Sequence, residues 1–389
     1  MTRRFDAVVV GGGPVGCLVA RKLASKGHSI AVLEEHAEIG LPVHCGGLVS
    51  PRALGFLPQS LRTKAVLANV YGARIHPPTL EPFEVRSREL KAVVIDRSEF
   101  DRCFASAAMD AGAEIRPSTR VVRFGRSENM HVAITSTGDE IAGKVLIGAD
   151  GVSSRVARAF GFPRVGEVIP SCGCYLGNDH GKDSTVDVYV GSKVAPGFFA
   201  WVIPGAESVN VGLGTRRGRP PRPHLKRFLK MTGFDGDDSR MNRYSSGIPI
   251  GPRARTVKGS VALVGDAAGH AKPMSGGGIF TGLRCASILA DVASGSLEAK
   301  GEPEVSGYES AWRRVIGKEL TRGMRLRRIY LNMNDRHMDD ICRIFGSSDI
   351  LSLINESGDI DYPSRLVLPL LRRAPSLAKF AGPLLKSLI

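Results

Sequence analysis

The sequence predicts an α/β fold, in which a sheet built from βαβ units is interrupted by an inserted antiparallel β-sheet domain and followed by a C-terminal helical region. Two apolar runs, residues 5–10 and 261–264, have the uninterrupted hydrophobic character of strands buried on both faces, and a glycine-rich turn follows each. Between them, residues 170–214 contain shorter strand-forming runs separated by turns. This order indicates one layer assembled from separated pieces of chain, with a sheet-rich part inserted between them.

The N-terminal βαβ unit is complete within the first 35 residues. Residues 5–10 form its first strand, residues 16–26 its helix and residues 29–33 its second strand. Further along the chain we expect strands at 92–95, 185–190, 198–203 and 208–213, helices at 97–110, 278–292 and from 308 onward, a short β-meander at 114–148, and an irregular Pro- and Gly-rich stretch at 39–82.

The turn after the first strand contains Gly11-x-Gly13-x-x-Gly16. In such a turn the first glycine allows the tight bend, the second lets the backbone approach a pyrophosphate, and the third lets helix and strand pack closely. Glu34 ends the second strand, 18 residues after Gly16, where a carboxylate accepts hydrogen bonds from ribose hydroxyls. The unit therefore predicts a Rossmann-type dinucleotide site, without distinguishing NAD from FAD.

The composition is that of a globular chain with a strongly basic surface. The 389 residues are 43% hydrophobic and 23% charged, and the formal net charge is +15. That charge predicts an anionic partner, which could be a membrane surface, an acidic protein or nucleic acid; the chain has no recognised nucleic-acid module. No apolar run is long enough for a transmembrane helix or a signal peptide, so we expect a cytoplasmic protein. The seven cysteines lack metal-ligand spacing, which predicts reduced thiols and no metal site.

Two further segments indicate that the dinucleotide is FAD rather than NAD. Residues 261–270, VALVGDAAGH, resemble the second fingerprint of flavoproteins of the p-hydroxybenzoate hydroxylase type. In that family the residue at the position of Asp266 bonds a ribityl hydroxyl, and glycines at positions 276–278 bring backbone N–H groups to the flavin pyrimidine. A helix N-terminus there would stabilise the negative charge of a reduced flavin. The alternative for Asp266 is a helix cap.

Residues 148–155, GADGVSSR, resemble the Asp-Gly motif of the same superfamily, and Arg97 matches an arginine that these flavoproteins place near FAD. The alternatives are an Asp-Gly turn and an exposed helical arginine. In full, the resemblance implies FAD contacts from Gly11, Gly13, Pro14, Val15, Gly16, Glu34, Glu35, Cys45, Gly46, Gly47, Arg97, Val122, Asp150, Gly151, Gly265, Asp266, Gly276, Gly277, Gly278 and Ile279.

A narrower resemblance covers the chain to about residue 345. Residues 40–47, GLPVHCGG, resemble the Pro-x-x-Cys-x-Gly motif of the geranylgeranyl reductase family, and residues 196–204, PGFFAWVIP, resemble its Pro-x-x-Tyr-x-Trp-x-Phe-Pro motif. The NVGLG at 210–214 and the Tyr-x-x-x-Trp at 308–312 also fit. The family includes archaeal digeranylgeranylglycerophospholipid reductases, as well as enzymes of chlorophyll and tocopherol synthesis. The resemblance therefore implies an FAD-dependent reductase of isoprenoid C=C bonds, acting on archaeal membrane phospholipids or, alternatively, in a chlorophyll or tocopherol pathway.

The second motif departs from the family at two positions, because Phe199 replaces the Tyr and Ile203 replaces the Phe. The change leaves an apolar wall that suits an isoprenoid chain. Strand alternation puts Phe199 and Trp201 on one face and Phe198 on the other, so we expect Phe199 and Trp201 to bind substrate. The alternative is ordinary sheet core.

Reduction of an isolated alkene requires both a hydride and a proton. Cys45 lies between Pro42 and Gly46 in a loop that can approach a ligand closely, and we expect its thiol to supply or relay the proton. His44 is the alternative proton source, and a buried, inert cysteine is the alternative to a catalytic one.

Residues 313–328 carry seven basic residues and one acid, with apolar residues at helical spacing. This amphipathic helix could dock on anionic phospholipid at the inner face of the cell membrane, or be a solvated helix face. The apolar and basic segment 368–389 could also dock on a membrane or close a domain.

The sequence leaves the electron donor open among NADPH, NADH and a ferredoxin-like protein. A flavin-dependent aromatic monooxygenase, or a flavin-binding protein without redox turnover, are the alternative classes. We expect an FAD-binding domain at 1–60, 90–165 and 255–300, a substrate domain at 61–89 and 166–254, and a helical region at 301–389.

Overall fold

The computed structural model describes residues 2–177, 184–205, 207–234 and 241–381. The strands in this part of the chain are β1 Arg3–Val10, β2 Ile30–Leu33, β3 Leu48–Val49, β4 Val66–Val70, β5 Gly72–His76, β6 Phe83–Arg86, β7 Ala92–Ile95, β8 Glu114–Arg116, β9 Val121–Ser127, β10 Met130–Thr135, β11 Glu140–Gly148, β12 Glu167–Gly177, β13 Thr185–Val190, β14 Phe199–Pro204, β15 Ser208–Gly214, β16 Asn242–Ile250, β17 Val257–Lys258 and β18 Val261–Leu263. The helices are α1 Pro14–Ala24, α2 Pro51–Leu54, α3 Arg97–Asp110, α4 Arg155–Ala159, α5 Pro221–Thr232, α6 Ile279–Glu298, α7 Gly307–Trp312, α8 Lys318–Leu331, α9 Asp335–Phe345, α10 Ser348–Ser357, α11 Val367–Arg373 and α12 Ala378–Ala381.

The first sheet has a parallel core in the order β18-β11-β1-β2-β8. Strand β1 pairs in parallel with β11 on one side and β2 on the other, and its residues Ala7, Val8 and Val9 are fully buried. Helices α1, α3 and α6 pack together over one face and share the largest hydrophobic cluster with it. The mixed α/β fold with a βαβ unit at its N-terminus is therefore confirmed.

The second sheet has the order β16-β12-β15-β14-β13-β5-β6 and is antiparallel except where β13 runs parallel to β5. One face packs on α5 through a cluster that includes Cys172, Cys174 and Phe228. Since side chains alternate along each strand, the opposite face presents Phe199, Trp201 and the side chains that share their register. This opposite face forms part of the site described below.

The prediction of an irregular stretch at 39–82 is wrong. It contains β3 and β4, which flank β7 in a third, three-stranded sheet, and β5, which joins the second sheet. Their pairing partners lie far along the chain, so the short runs carry little local signal. The meander at 114–148 is correct for β9, β10 and β11, but β8 instead pairs in parallel with β2.

From residue 307 onward the described chain is mostly helical. A short π-helical turn, Arg313–Gly317, joins α7 to α8. Tyr308 and Trp312 are fully buried and belong to the cluster beneath α6, which ties this region to the parallel sheet. Within the described ranges, no helix combines the length and apolarity needed to cross a bilayer.

Candidate active site

The first strand-to-helix turn has the geometry that its three glycines predict. Gly11 has φ +107°, and a Cβ there would lie 2.4 Å from the carbonyl oxygen of Ala149. A Cβ at Gly16 would lie 2.1 Å from the carbonyl oxygen of Gly11, so helix and strand are in direct contact there. At Gly13, by contrast, a Cβ would meet no described atom within 4 Å, so this part of the backbone is open to a ligand.

A cleft of about 430 Å³ opens at this turn. The ends of β1 and β2 contribute Val10 and Leu33 to it, and Ala149 follows the end of β11, so the cleft lies at the carboxyl edge of the parallel strands, where α/β sheets bind ligands. The predicted residues that line it are Gly11, Gly13, Glu34, Glu35, His44, Arg97, Asp150, Gly151 and Asp266. The predicted residues outside its lining are Pro14, Val15, Gly16, Cys45, Gly46, Gly47, Val122, Gly265, Gly276, Gly277, Gly278 and Ile279.

The carboxylate of Glu34 organises the loops at the cleft. One oxygen accepts a hydrogen bond from the backbone N–H of Gly12 at 2.7 Å, and the other lies 2.6 Å from Nδ1 of His36. Glu35 is exposed beside it and lies 3.4 Å from Arg120. Glu34 therefore fixes the glycine turn from inside the cleft wall, and binding of a ribose by its remaining acceptor capacity remains a prediction.

Asp266 faces the cleft with its carboxylate exposed. No described residue donates a hydrogen bond to it, and it does not cap a helix. The protein packed around the cleft raises the pKa of Asp266, and the positive charge of Arg97 opposes that rise. A Cβ added at Gly278 would lie 2.8 Å from an Asp266 oxygen, so the glycine segment 276–278 borders the same carboxylate.

The N-terminus of α6 begins directly after this glycine segment. No described side chain caps it, which leaves backbone N–H groups of its first turn available to an acceptor. A cleft at the strand ends, an open backbone at Gly13, an unpartnered carboxylate and an uncapped helix together fit FAD as the cofactor.

Asp150 and Arg97 also line the cleft. Asp150 accepts hydrogen bonds from Ser154 Oγ at 2.6 Å and from the backbone N–H of Arg155 at 2.7 Å, so its carboxylate also caps α4. Arg97 makes a two-pronged ion pair with Asp101 at 3.0–3.1 Å and is mostly buried, so it is not an exposed helical residue. Burial alone would lower the pKa of Arg97, but Asp101 and the neighbouring Cys45 outweigh it, and the net effect is a raised pKa.

Cys45 is half-buried and lies beside Arg97. Its sulfur lies 3.4 Å from the backbone N–H of Gly47, which donates a hydrogen bond to it, and its carbonyl accepts a hydrogen bond from the hydroxyl of Tyr175. Burial raises the pKa of Tyr175, so that hydroxyl remains protonated and keeps its donor. His44 is exposed at the cleft, where partial burial together with His36 and Arg97 lowers its pKa, so the imidazole is neutral at pH 7.

The loop that carries Cys45 packs on the second sheet. A Cβ added at Gly46 would lie 3.0 Å from Ile203 and 3.4 Å from the indole nitrogen of Trp201. Trp201 donates from that nitrogen to Asn210 Oδ1 at 2.7 Å, and Tyr244 donates to the same oxygen at 3.1 Å. The indole therefore has a fixed orientation next to the loop.

The aromatic wall differs from the alternation that the sequence predicts. Strand β14 begins at Phe199, and Phe198 precedes it, so Phe198 does not follow the strand's alternation. Phe198 stacks on Phe199 with ring centroids 4.3 Å apart, and Phe199 lies edge to face with Trp201 at 5.8 Å. A Cβ added at Gly276 would lie 3.2 Å from Phe198, so this wall also meets the glycine segment before α6.

Val122 lies outside the lining of the cleft, so its contact with the cofactor remains a prediction. The Val122 side chain is 40% exposed, whereas Val121 is buried and lines the cleft, because successive residues of β9 point to opposite faces. Sequence reasoning also missed Tyr175 and Tyr244, and it named Asn210 only as part of the NVGLG motif. The alternation of β12, β15 and β16 could have placed them on one face of a sheet, but the contact with the Cys45 loop has no local signal.

The apolar stripe of the predicted membrane-docking helix is occupied by the protein itself. Tyr308, Trp312 and Ile316 are fully buried in the core. Arg327 is also buried, with an ion pair to Glu167 at 2.8 Å. The stripe therefore offers no face for insertion into a membrane, although Arg314, Lys318 and Arg328 remain exposed. The end of the second predicted docking segment, 382–389, lies outside the described residues.

Comparison with known proteins supports an FAD-binding fold. Residues 4–172 match the FAD binding domain family. The fold is similar to the crystal structure of a geranylgeranyl bacteriochlorophyll reductase-like protein from Thermoplasma acidophilum, with a TM-score of 0.82 and 23% identity over 97% of this chain and 100% of that one. The protein is thus an FAD-dependent oxidoreductase with the FAD-binding fold of the p-hydroxybenzoate hydroxylase type.

Similarity to named relatives identifies the family to which the protein belongs within this class. The sequence is 31% identical to digeranylgeranylglycerophospholipid reductase 2 of Methanothermobacter thermautotrophicus, over 93% of this chain and 98% of the relative. It is 32% identical to the digeranylgeranylglycerophospholipid reductase of Methanothrix thermoacetophila, over 89% of this chain and 93% of the relative. The chain therefore belongs to the digeranylgeranylglycerophospholipid reductase family.

Proposed function

We propose that the protein saturates the C=C bonds of geranylgeranyl chains carried by an archaeal-type membrane phospholipid. One observation supports this most directly. The loop of Cys45 lies against the apolar wall of Trp201 and Ile203, and the glycine segment 276–278 meets the same wall at Phe198. A hydrocarbon chain on this wall would lie between the thiol and the segment expected to hold the flavin ring.

The substrate sets the chemistry. An isolated alkene has no carbonyl to polarise it, so its reduction adds a hydride to one carbon and a proton to the other. When bound, reduced FAD supplies the hydride from N5, and two electrons from NADPH, NADH or a ferredoxin-like protein restore it. The protein must supply the proton, exclude water and hold the chain in place.

We assign the role of proton donor to the thiol of Cys45. Protonation of the less substituted alkene carbon would place the developing positive charge on the tertiary carbon, which stabilises it best. The thiolate left behind lies next to the guanidinium of Arg97, a fixed positive charge in a partly buried site. His44, which is neutral at pH 7 and exposed at the cleft, is placed to return a proton from solvent.

In this proposal the two main sheets belong to parts of the protein with different roles, one that binds FAD and one that binds the substrate. The FAD-binding part would comprise 1–60, 90–165 and 255–300, the substrate part 61–89 and 166–254, and the helical region 301–389 would close the assembly.

The protein would act in the cytoplasm and bind peripherally to the inner membrane face. Its net charge of +15 favours an anionic lipid surface there.

Expression of the gene beside an unsaturated archaeal lipid pathway tests the proposal. Mass spectrometry of the extracted phospholipid should show gains of two hydrogens per double bond, absent from cells that carry the empty vector. Unchanged lipid masses from cells that contain the flavin-loaded protein would contradict it. Oxygen-dependent hydroxylation in place of saturation would instead support a flavin monooxygenase.

A further inference from the structure

A second pocket, of about 390 Å³, opens on the surface away from the glycine turn. Three arginines line it, Arg52, Arg284 and Arg365, together with the rings of Phe56, Phe280 and Tyr362. The ring centroids of Phe56 and Phe280 are 6.3 Å apart, and those of Phe280 and Tyr362 are 6.2 Å apart. The pocket thus combines cationic side chains with an apolar, aromatic wall.

The three arginines differ in what they already bind. Arg52 forms an ion pair with Asp359 at 2.9 Å and lies 3.2 Å from Asp361, which raises the pKa of Arg52. Arg365 stacks on the Tyr362 ring, with its guanidinium carbon 4.3 Å from the centroid, and lies 3.7 Å from Asp359. The described residues include no hydrogen-bond or ion-pair partner for Arg284, which is exposed on α6. Its donors are therefore available to an anion.

The local charge favours an anion. Besides the three arginines, Lys272 lies just beneath the pocket, with its ammonium 3.3 Å from Asp361. Burial lowers the pKa of Lys272, and Asp361 opposes that effect. Asp359, Asp361 and Glu319 are the carboxylates that act on these four basic side chains, so the basic side chains outnumber the carboxylates. The planar forks of arginine match phosphate oxygens in pairs.

The chain segments that line this pocket also lead to the proposed reaction site. Arg52 follows Cys45 by seven residues, and Phe280 follows Gly278 by two. Tyr362 follows Ile360, which packs in the same cluster as Trp201 and Ile203. The Lys272 ammonium donates to the carbonyl of Ile360 at 2.6 Å and holds that segment against the glycine segment.

We propose that this pocket binds the phosphate of the substrate's own headgroup, with Arg284 as its principal free ligand, while the isoprenoid chains extend inward to Trp201. This inference rests on the proposed function. It assigns the ligand as a phosphate ester attached to an apolar chain, in agreement with the arginines and the aromatic rings that line the pocket together.

The test compares two substrates in steady-state assays in non-ionic detergent, with dithionite as reductant. One is digeranylgeranylglycerophosphate and the other is neutral digeranylgeranylglycerol, which lacks the phosphate. We expect Arg284→Gln to raise the KM for the phospholipid about tenfold, the value of one charge-assisted hydrogen bond, with kcat retained. The KM for the neutral lipid should not change, and Arg284→Lys should recover part of the loss.

Arg255→Gln is the matched control, because Arg255 is exposed and lies outside both pockets. It should change neither KM. An unchanged phospholipid KM in Arg284→Gln, or equal effects on the two lipids, would overturn the inference. Loss of binding to phosphatidylglycerol vesicles with an unchanged phospholipid KM would also overturn it, because it would assign the pocket to the membrane surface.

Competition with inorganic phosphate tests whether Arg284 binds the phosphate group of the lipid. Millimolar phosphate should raise the phospholipid KM of the wild-type protein and have little effect on Arg284→Gln. Failure of the wild-type protein to reduce either lipid would refute the proposed reductase activity instead. Phospholipid binding that depends on Arg284, measured by calorimetry on the flavin-loaded protein, would then still support the site.

Discussion

Cys45 is positioned by contacts from separate parts of the chain. Its sulfur meets the backbone N–H of Gly47 and lies near Arg97, and its carbonyl accepts from Tyr175. A cysteine that only packed in the hydrophobic core would not need a cation beside its sulfur or a hydrogen bond from a strand tyrosine to its carbonyl. These contacts support an assignment to proton transfer.

Replacement of the thiol tests that assignment. Cys45→Ala should lower the rate of alkene reduction by about 10²- to 10⁴-fold, the usual contribution of a positioned general acid. FAD should remain bound, because the glycine turn and Asp266 are unaffected. The measurement is lipid product formed per bound flavin under anaerobic conditions.

Cys103→Ala is the control for this experiment. Cys103 is also a free thiol, but it is buried in α3 and packs in the main core. Its replacement should leave the rate per bound flavin unchanged. A Cys45→Ala protein as fast as the wild type would show that another group donates the proton, with His44 the first to examine.

At the scale of single residues, the sequence predicts which residues belong to the site better than it predicts the contacts that they make. Gly11, Gly13 and Gly16 follow from spacing alone, because their roles depend on backbone geometry within one turn. Glu34 lies at the predicted strand end, but its bond to the Gly12 N–H is a property of the folded turn. The side chain of Val122 points away from the cleft, because resemblance does not determine which way a strand side chain points.

At the scale of elements, the orientation of Trp201 depends on a glycine in the neighbouring strand. Gly212 pairs with Trp201 across β14 and β15, and a Cβ at Gly212 would lie 2.6 Å from the indole ring. Only a residue without a side chain lets the ring lie flat on the sheet and keep its bond to Asn210.

Gly212→Ala should therefore turn the indole out of place. We expect KM for the lipid to rise several-fold, with FAD binding unchanged because the parallel sheet is not involved. Gly125→Ala in β9 is a matched strand control, since the added Cβ would meet its nearest described neighbour at 3.9 Å. Equal KM values for the two variants would argue against a role for Trp201 in substrate binding.

The elements that the sequence predicts well are those with local signals. The β1-α1-β2 unit combines an apolar strand, glycine punctuation and a helical pattern within 35 residues. Strands β3, β4 and β5 have no such pattern, and their stability comes from pairing with β7 and β13. The helical pattern at 308–331 was correct, but the sequence could not tell whether its apolar stripe faces lipid or core.

At the scale of the whole molecule, His270 links stability to pH. Its ring is fully buried against Trp312, and neither ring nitrogen has a partner among the described residues. Burial, with a smaller contribution from Arg313, lowers the pKa of His270 from 6.5 to about 3. The folded protein therefore keeps a neutral imidazole where the unfolded chain takes up a proton.

Between pH 6.5 and about 3 the unfolded state binds more protons at this position, so folding stability falls as pH falls. The contribution is fully present above pH 6.5. His270→Phe should reduce the loss of unfolding free energy across this window by a few kcal/mol. Denaturant titrations at several pH values measure the slope of unfolding free energy against pH. A packing cost that does not depend on pH leaves this slope unaltered. An unchanged slope would show that the ring is solvated.

An anaerobic single turnover tests the transfer of a hydride and a proton to an isolated alkene most directly. The flavin-loaded protein is reduced with one equivalent of dithionite and mixed with digeranylgeranylglycerophosphate. We expect flavin absorbance to return at the same rate as the lipid gains two hydrogens. Both should be deuterium when reduction and turnover take place in D₂O, because dithionite supplies only electrons and the flavin takes its N5 hydrogen from the solvent. A flavin that stays reduced until oxygen is admitted, with the lipid mass unchanged, would contradict it.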